Sequence, residues 1–101
     1  MTYLSIVIPA YNEEKKIAKD IEAVYAYFKE YSVNGELIVV DDGSHDETLN
    51  IARSCMNKYP SLQVISYGLN EGKGYAIKTG ILKATGDYIL FADSGLCVPF
   101  K

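Results

Sequence analysis

Along this chain, four short runs rich in Val, Ile and Leu alternate with three stretches of helical periodicity, and that alternation leaves few folds open. The runs are Leu4–Ile8, Glu36–Val40, Leu62–Ser66 and Tyr88–Ala92. They are nearly continuous in apolar residues, the pattern of parallel strands covered on both faces. Strict alternation of strand and helix predicts an α/β protein: one parallel sheet, right-handed crossovers, and helices on both sides in three layers.

The first helical stretch runs from about Glu13 to Tyr31, with Ile17, Ile21, Val24 and Phe28 on one face and Lys15, Lys16, Lys19, Asp20 and Glu22 between them. Asn12 reads as its N-cap, and Asn34-Gly35 closes the segment. A second stretch, Asp46 to Lys58, places Leu49, Ala52, Cys55, Met56 and Tyr59 inward, with Ser44 or Asp46 as cap and Pro60 as the stop. A third, Lys73 to Ala84, turns Ala76, Ile77, Gly80, Ile81 and Ala84 inward, and Gly86 reads as the helix-terminating glycine. Tyr25, Tyr27 and Tyr31 read as helix packing and surface.

A chain of 101 residues has room for one domain, residues 1–101, and one modest core. The net charge of -3, with Lys and Arg scattered, argues against a nucleic-acid partner. Apolar runs such as Leu4–Ala10 fall far short of the roughly 20 residues of a membrane span. Met1 leads straight into a strand-like run without the features of a secretion signal, and Cys55 and Cys97 fit reduced thiols, so a cytoplasmic protein is expected.

In open parallel sheets, ligands bind beyond the carboxyl ends of the strands. Here those ends carry Pro9-Ala10-Tyr11-Asn12-Glu13-Glu14, then Asp41-Asp42-Gly43-Ser44-His45-Asp46, then Asn70-Glu71-Gly72-Lys73-Gly74, and finally Asp93-Ser94-Gly95. Carboxylates on one rim suit a ligand with hydroxyls, ring N–H groups or a bound divalent cation. A helix N-terminus and Lys73 suit a diphosphate. Taken singly, each loop also has a plain structural explanation: Asp41-Asp42-Gly43-Ser44 as a turn and cap, Asn12-Glu13-Glu14 as a helix start, Gly72-Lys73-Gly74 as a connection. His45 reads as a lone exposed histidine. Two better-known phosphate motifs fail. Only three residues separate Gly68 from Gly72, and Lys73 precedes Gly74, against the Walker pattern. The dinucleotide fingerprint begun by Gly72 and Gly74 would need a glycine where Ile77 stands.

Taken in order, Ser5–Glu14, Leu37–Thr48, Asn70–Gly74 and Gly86–Asp93 resemble the family 2 glycosyltransferases of the GT-A fold, nearest to the dolichyl- or polyprenyl-phosphate sugar synthase branch. The resemblance implies a Rossmann-like nucleotide-diphospho-sugar transferase half-domain with strand order 3-2-1-4. It implies a domain that binds a UDP- or GDP-linked sugar for transfer to an acceptor such as a lipid phosphate or a saccharide, at the inner membrane face when the acceptor is a lipid. Pro9, Tyr11 and Glu13 would line the base and ribose, Asp41 and Asp42 would accept their hydrogen bonds, and Lys73 would lie beside the nucleotide. Asp93 matches the first carboxylate of the family's Asp-x-Asp motif, which holds Mg2+ or Mn2+ against the diphosphate.

Two departures qualify that expectation. Gly95 replaces the second Asp, removing a carboxylate where the ion would be held, while Leu96 and Pro99 keep the surrounding pattern. The chain ends at Lys101, short of the region that supplies the family's acceptor site and catalytic base. The expectation is therefore a truncated, donor-binding half, whose fourth strand is a sheet edge open to self-association. A non-catalytic nucleotide-sugar-binding or assembly module is the alternative.

Overall fold

The computed structural model describes residues 2–92. Asp93, Gly95, Leu96, Cys97 and Pro99 lie outside the described residues. Elements follow in strict alternation: β1 (Leu4–Ala10), α1 (Ile17–Glu30), β2 (Gly35–Asp41), α2 (Thr48–Cys55), β3 (Leu62–Ser66), α3 (Lys73–Lys83) and β4 (Tyr88–Phe91). The sheet order is β3-β2-β1-β4, the 3-2-1-4 order that the resemblance implied. Every adjacent pair is parallel, with Ile6 opposite Leu37 on one side and opposite Leu90 on the other.

Alternation of side chains along the two central strands builds two separate apolar layers. Leu4, Ile6, Ile8 and Ala10 of β1, with Leu37 and Val39 of β2, pack against Ile17, Ile21, Val24 and Phe28 of α1 and Ala52 of α2. On the opposite face Val7, Ile38 and Val40 meet Ala76 of α3. This second layer is thin because α3 lies very close to the sheet. A Cβ added at Gly80 would fall 2.3 Å from Val7 Cγ1. Both faces of β1 and β2 are thus sealed, which accounts for their unbroken apolar runs.

The helix ends depart from expectation where side chains capture the backbone. α1 begins at Ile17 rather than near Glu13, and the Glu13 and Glu14 N–H groups ahead of it bond to Thr48 Oγ1 and Asp46 Oδ2 across the loops. Asn12 is not its cap. It has φ 52°, and its side-chain oxygen accepts from the His45 N–H. α2 begins at Thr48 and ends at Cys55, and Met56, expected inward, is 43% exposed. Ile81, also expected inward, is exposed on α3. Gly86 does not terminate α3 through a left-handed turn. It is glycine for want of room: a Cβ there would lie 2.7 Å from the Ser5 backbone nitrogen. Tyr25 packs as expected for helix packing, stacked on Tyr59 at 4.2 Å with its hydroxyl 2.8 Å from Ser61 Oγ.

At the amino ends of the strands, a buried carboxylate ties the sheet together. Glu36 of β2 accepts from Ser5 Oγ of β1 at 2.5 Å, from Gln63 Nε2 of β3, and from the Thr85 N–H and hydroxyl ahead of β4. Ser5 Oγ in turn accepts from the Gly86 N–H. Burial pushes the Glu36 carboxyl up, but the hydrogen bonds from Ser5, Thr85 and Gln63 outweigh it and hold the group below the ordinary glutamate value. Glu36→Ala strips all four donors of their acceptor and should cost about 2–3 kcal/mol in urea denaturation at pH 7. Because the folded pKa is depressed, the ionised group's contribution is complete above the unfolded value of about 4.3 and is lost as pH falls through the folded one. The gap between wild type and variant should therefore close on acidification below that range.

Candidate functional site

The carboxyl ends of β1, β2 and β3 carry loops that interlock rather than splay. The Asn12 N–H donates to Ser44 Oγ at 2.8 Å, and the His45 N–H returns a bond to Asn12 Oδ1. Glu14 Oε1 accepts from the Glu47 N–H. Thr48, fully buried, accepts the Glu13 N–H on its hydroxyl and donates to Asp46 Oδ1. Burial raises the Asp46 pKa, but bonds from the Thr48 hydroxyl and backbone and from the Glu14 backbone prevail, so it lies below the ordinary aspartate value. The loop after β1 is thereby fixed to the loop after β2.

The loop after β3 is attached at a different atom set. Asp42, 4% exposed, takes the Tyr67 hydroxyl (2.6 Å) and the Glu71 N–H (2.9 Å) on Oδ1, and the Gly72 N–H (3.0 Å) on Oδ2. Its own N–H donates to the Ala10 carbonyl. Gly43 makes this approach possible. Its φ is +75°, and a Cβ there would sit 2.5 Å from the Leu69 backbone. Burial, then the hydrogen bond to Asp42 and its charge, hold the Tyr67 phenol protonated far above its ordinary pKa.

Between these loops opens a cleft of about 520 Å³ lined by Pro9, Tyr11, Glu13, Asp42, Asn70, Gly72 and Lys73. That volume suits a small-molecule site. Five residues singled out in the sequence, Pro9, Tyr11, Glu13, Asp42 and Lys73, therefore share one wall-to-wall space. Tyr11 is 41% exposed, with its ring edge-on to His45 at 6.4 Å. Gly72 and Lys73 put the start of α3 on the cleft wall, where helix polarity and the lysine both favour an anion. Asp41 stands apart from the cleft. It is buried, its Oδ2 accepts from the Ser44 N–H, and its Oδ1 has no hydrogen-bond partner among the described residues.

Sequence reasoning gave no role to Asn70, Tyr67 or Thr48. Asn70 sits in a loop flagged as a motif; Tyr67 and Thr48 act through contacts across roughly the whole rim, which no local pattern signals. Among the described residues, no three His, Cys, Asp or Glu side chains are placed to hold a metal ion. The expected ion ligand, Asp93, lies outside the described residues. The described residues alone do not make an ion site.

The sheet order and the cleft beyond the strand ends are those of a doubly wound α/β domain, and solved structures narrow the architecture to that of GT-A glycosyltransferases. A mannosyltransferase from Pyrobaculum calidifontis, solved with GDP-Man and Mn2+, matches at TM-score 0.78 with 26% identity, over 89% of this chain and 26% of that one. TarS from S. aureus, solved with UDP, matches at TM-score 0.79 with 32% identity, over 92% of this chain and 27% of that one. The family model for Glycosyl transferase family 2 matches residues 5–100, and the chain belongs to that family. Among curated relatives, the dolichyl-phosphate beta-glucosyltransferase of Homo sapiens is 40% identical over 98 residues, 90% of this chain. A dolichyl-phosphate beta-glucosyltransferase of Trichomonas vaginalis is 36% identical over 97 residues, 91% of this chain. The chain spans 30% of the length of each of these two relatives.

The loop interlock makes a direct prediction. Thr48→Val keeps the shape of the side chain but leaves the Glu13 N–H without its acceptor, so unfolding free energy should fall by about 1–2 kcal/mol. Amide exchange at Glu13 should accelerate in the same variant; an unchanged Glu13 rate would contradict the interlock.

Proposed function

We propose that this chain binds the nucleotide end of a nucleotide-diphospho-sugar and forms the donor-binding part of a glycosyltransferase. The observation that carries the reading is the shared cleft, which sets two carboxylates, an aromatic ring and a lysine around one volume of about 520 Å³. Pro9 and Tyr11 offer apolar surface to the base. Glu13 and Asp42 offer acceptors to ring N–H and ribose hydroxyl groups, which are donors. Lys73 and the start of α3 offset diphosphate charge. Asp41, buried beneath the rim, supports the β2 loop in this reading rather than meeting the ligand.

The reaction class is transfer of the sugar from its diphosphate leaving group to an acceptor oxygen. The bond from the sugar's anomeric carbon to the diphosphate oxygen breaks, the acceptor oxygen forms the new bond, and the nucleotide diphosphate leaves with the electron pair. The similarity to dolichyl-phosphate beta-glucosyltransferases supports a lipid-phosphate acceptor. No helix among the described residues is long and apolar enough to cross a membrane. A divalent cation, Mg2+ or Mn2+, would neutralise charge on the leaving diphosphate, and Asp93 is its proposed ligand by resemblance.

Titration calorimetry with UDP-glucose and GDP-mannose tests the reading. One of them should bind weakly, and Lys73→Ala should cost about tenfold in affinity, as expected for one charge-assisted contact. Absence of binding by either ligand at millimolar concentration, or an unaltered affinity in the variant, would overturn it.

A second copy of the chain is the proposed protein partner. All four residues of β4 are exposed, with Tyr88 at 61% and Phe91 at 57%, and β4 pairs only with β1 among the described residues. Open apolar edges of this kind recruit further strands. Light scattering should show self-association that Phe91→Lys reduces; a monodisperse wild-type monomer at high concentration would count against it.

A further inference from the structure

Asp42 lines the cleft, yet most of its hydrogen-bonding capacity is already used inside the protein. An ionised carboxylate offers about four acceptor positions. Three are taken by Tyr67, Glu71 and Gly72, which leaves about one for a ligand. Those three bonds therefore fix the direction in which the remaining lone pair points. They also fix Gly72, and with it the neighbouring Lys73, in the cleft lining beside Asp42.

The Tyr67 bond is the shortest of the three, 2.6 Å against 2.9 and 3.0 Å, and it joins a phenol to an anion. Its ring is braced on both sides. It packs on the layer of Val7, Ile38, Val40 and Ala76, and it meets the Tyr75 ring of α3 edge-on at 5.0 Å and 88°. Tyr67 is not among the described residues lining the cleft. Its hydroxyl reaches the site through Asp42.

We infer that Tyr67 is a positioning residue: its hydroxyl orients the Asp42 carboxylate and, through it, latches the 70–72 loop that carries Lys73 onto the nucleotide cleft. The inference deepens the donor-binding proposal and rests on it for the consequence on affinity, but the latch itself exists in the free protein. Glu71 and Gly72 amides read the latch without any ligand.

Tyr67→Phe keeps the ring and removes only the hydroxyl, so the packing on Tyr75 and the apolar layer is retained. In the free protein, hydrogen exchange at the Glu71 and Gly72 amides should speed up about tenfold, in line with one lost charge-assisted bond, while core amides such as Ile6 and Val39 stay unchanged. Affinity for UDP-glucose or GDP-mannose, whichever the wild type binds, should fall several-fold. In an Asp42→Asn background the same substitution should have little further effect on affinity, because the group it acts through is already altered. Unchanged loop exchange in Tyr67→Phe would overturn the inference, as would an equal affinity loss in both backgrounds. If the wild type binds neither nucleotide-sugar, the donor-site reading falls, and the exchange rates alone still decide whether the latch exists.

Discussion

The site depends on one buried carboxylate whose partners among the described residues are neutral hydrogen-bond donors. Asp42 holds the Tyr67 hydroxyl and the Glu71 and Gly72 amides, and its own N–H reaches β1 at Ala10. An anion with this little exposure would be costly if unpaired, and direct hydrogen bonds are what make it tolerable. The consequence is geometric. The ends of three strands and the start of α3 are referred to a single group, so the cleft walls cannot move independently of Asp42.

Glu36 plays the matching part at the other end of the sheet. It collects donors from β1, from β3 and from the connection into β4. One carboxylate thus joins the strands where they begin, and the other joins the loops where the strands finish. Between them the two apolar layers provide the bulk of the driving force, and the polar groups decide register and loop placement. The exposed Lys58–Glu22 pair, with N···O 4.0 Å, has little to add. Coverage is uneven: β1 and β2 are sealed on both faces, whereas β4 lies beyond the reach of the helix layers and leaves Tyr88, Leu90 and Phe91 exposed.

Much of this was legible in the residues. Unbroken runs such as Ile6-Val7-Ile8 and Leu37-Ile38-Val39-Val40 announce buried parallel strands, and the 3.6-residue spacing of Ile17, Ile21, Val24 and Phe28 announces α1. Family resemblance added the strand order and pointed to the loops at the strand ends. The segment leading into α1 is held by Thr48 and Asp46, which lie more than thirty residues from Glu13 and Glu14 in the chain, so local periodicity does not show where that helix begins. Gly86 looked like a helix terminator because sequence shows a glycine's position but not the backbone of β1 pressed against it. Asp41 and Asp42 are adjacent and chemically identical, yet strand alternation sends them to opposite faces, so only one lines the cleft. Tyr67 carried no signal at all, since its role exists only in its contact with Asp42.

A crystal structure of this chain soaked with UDP-glucose or GDP-mannose and Mn2+ tests the central claim most directly. The account predicts nucleotide density between Tyr11 and Lys73, within hydrogen-bonding distance of Asp42, with the Asp42–Tyr67 bond intact. A nucleotide lodged elsewhere, or bound at the rim with Asp42 turned away from it, would contradict that account.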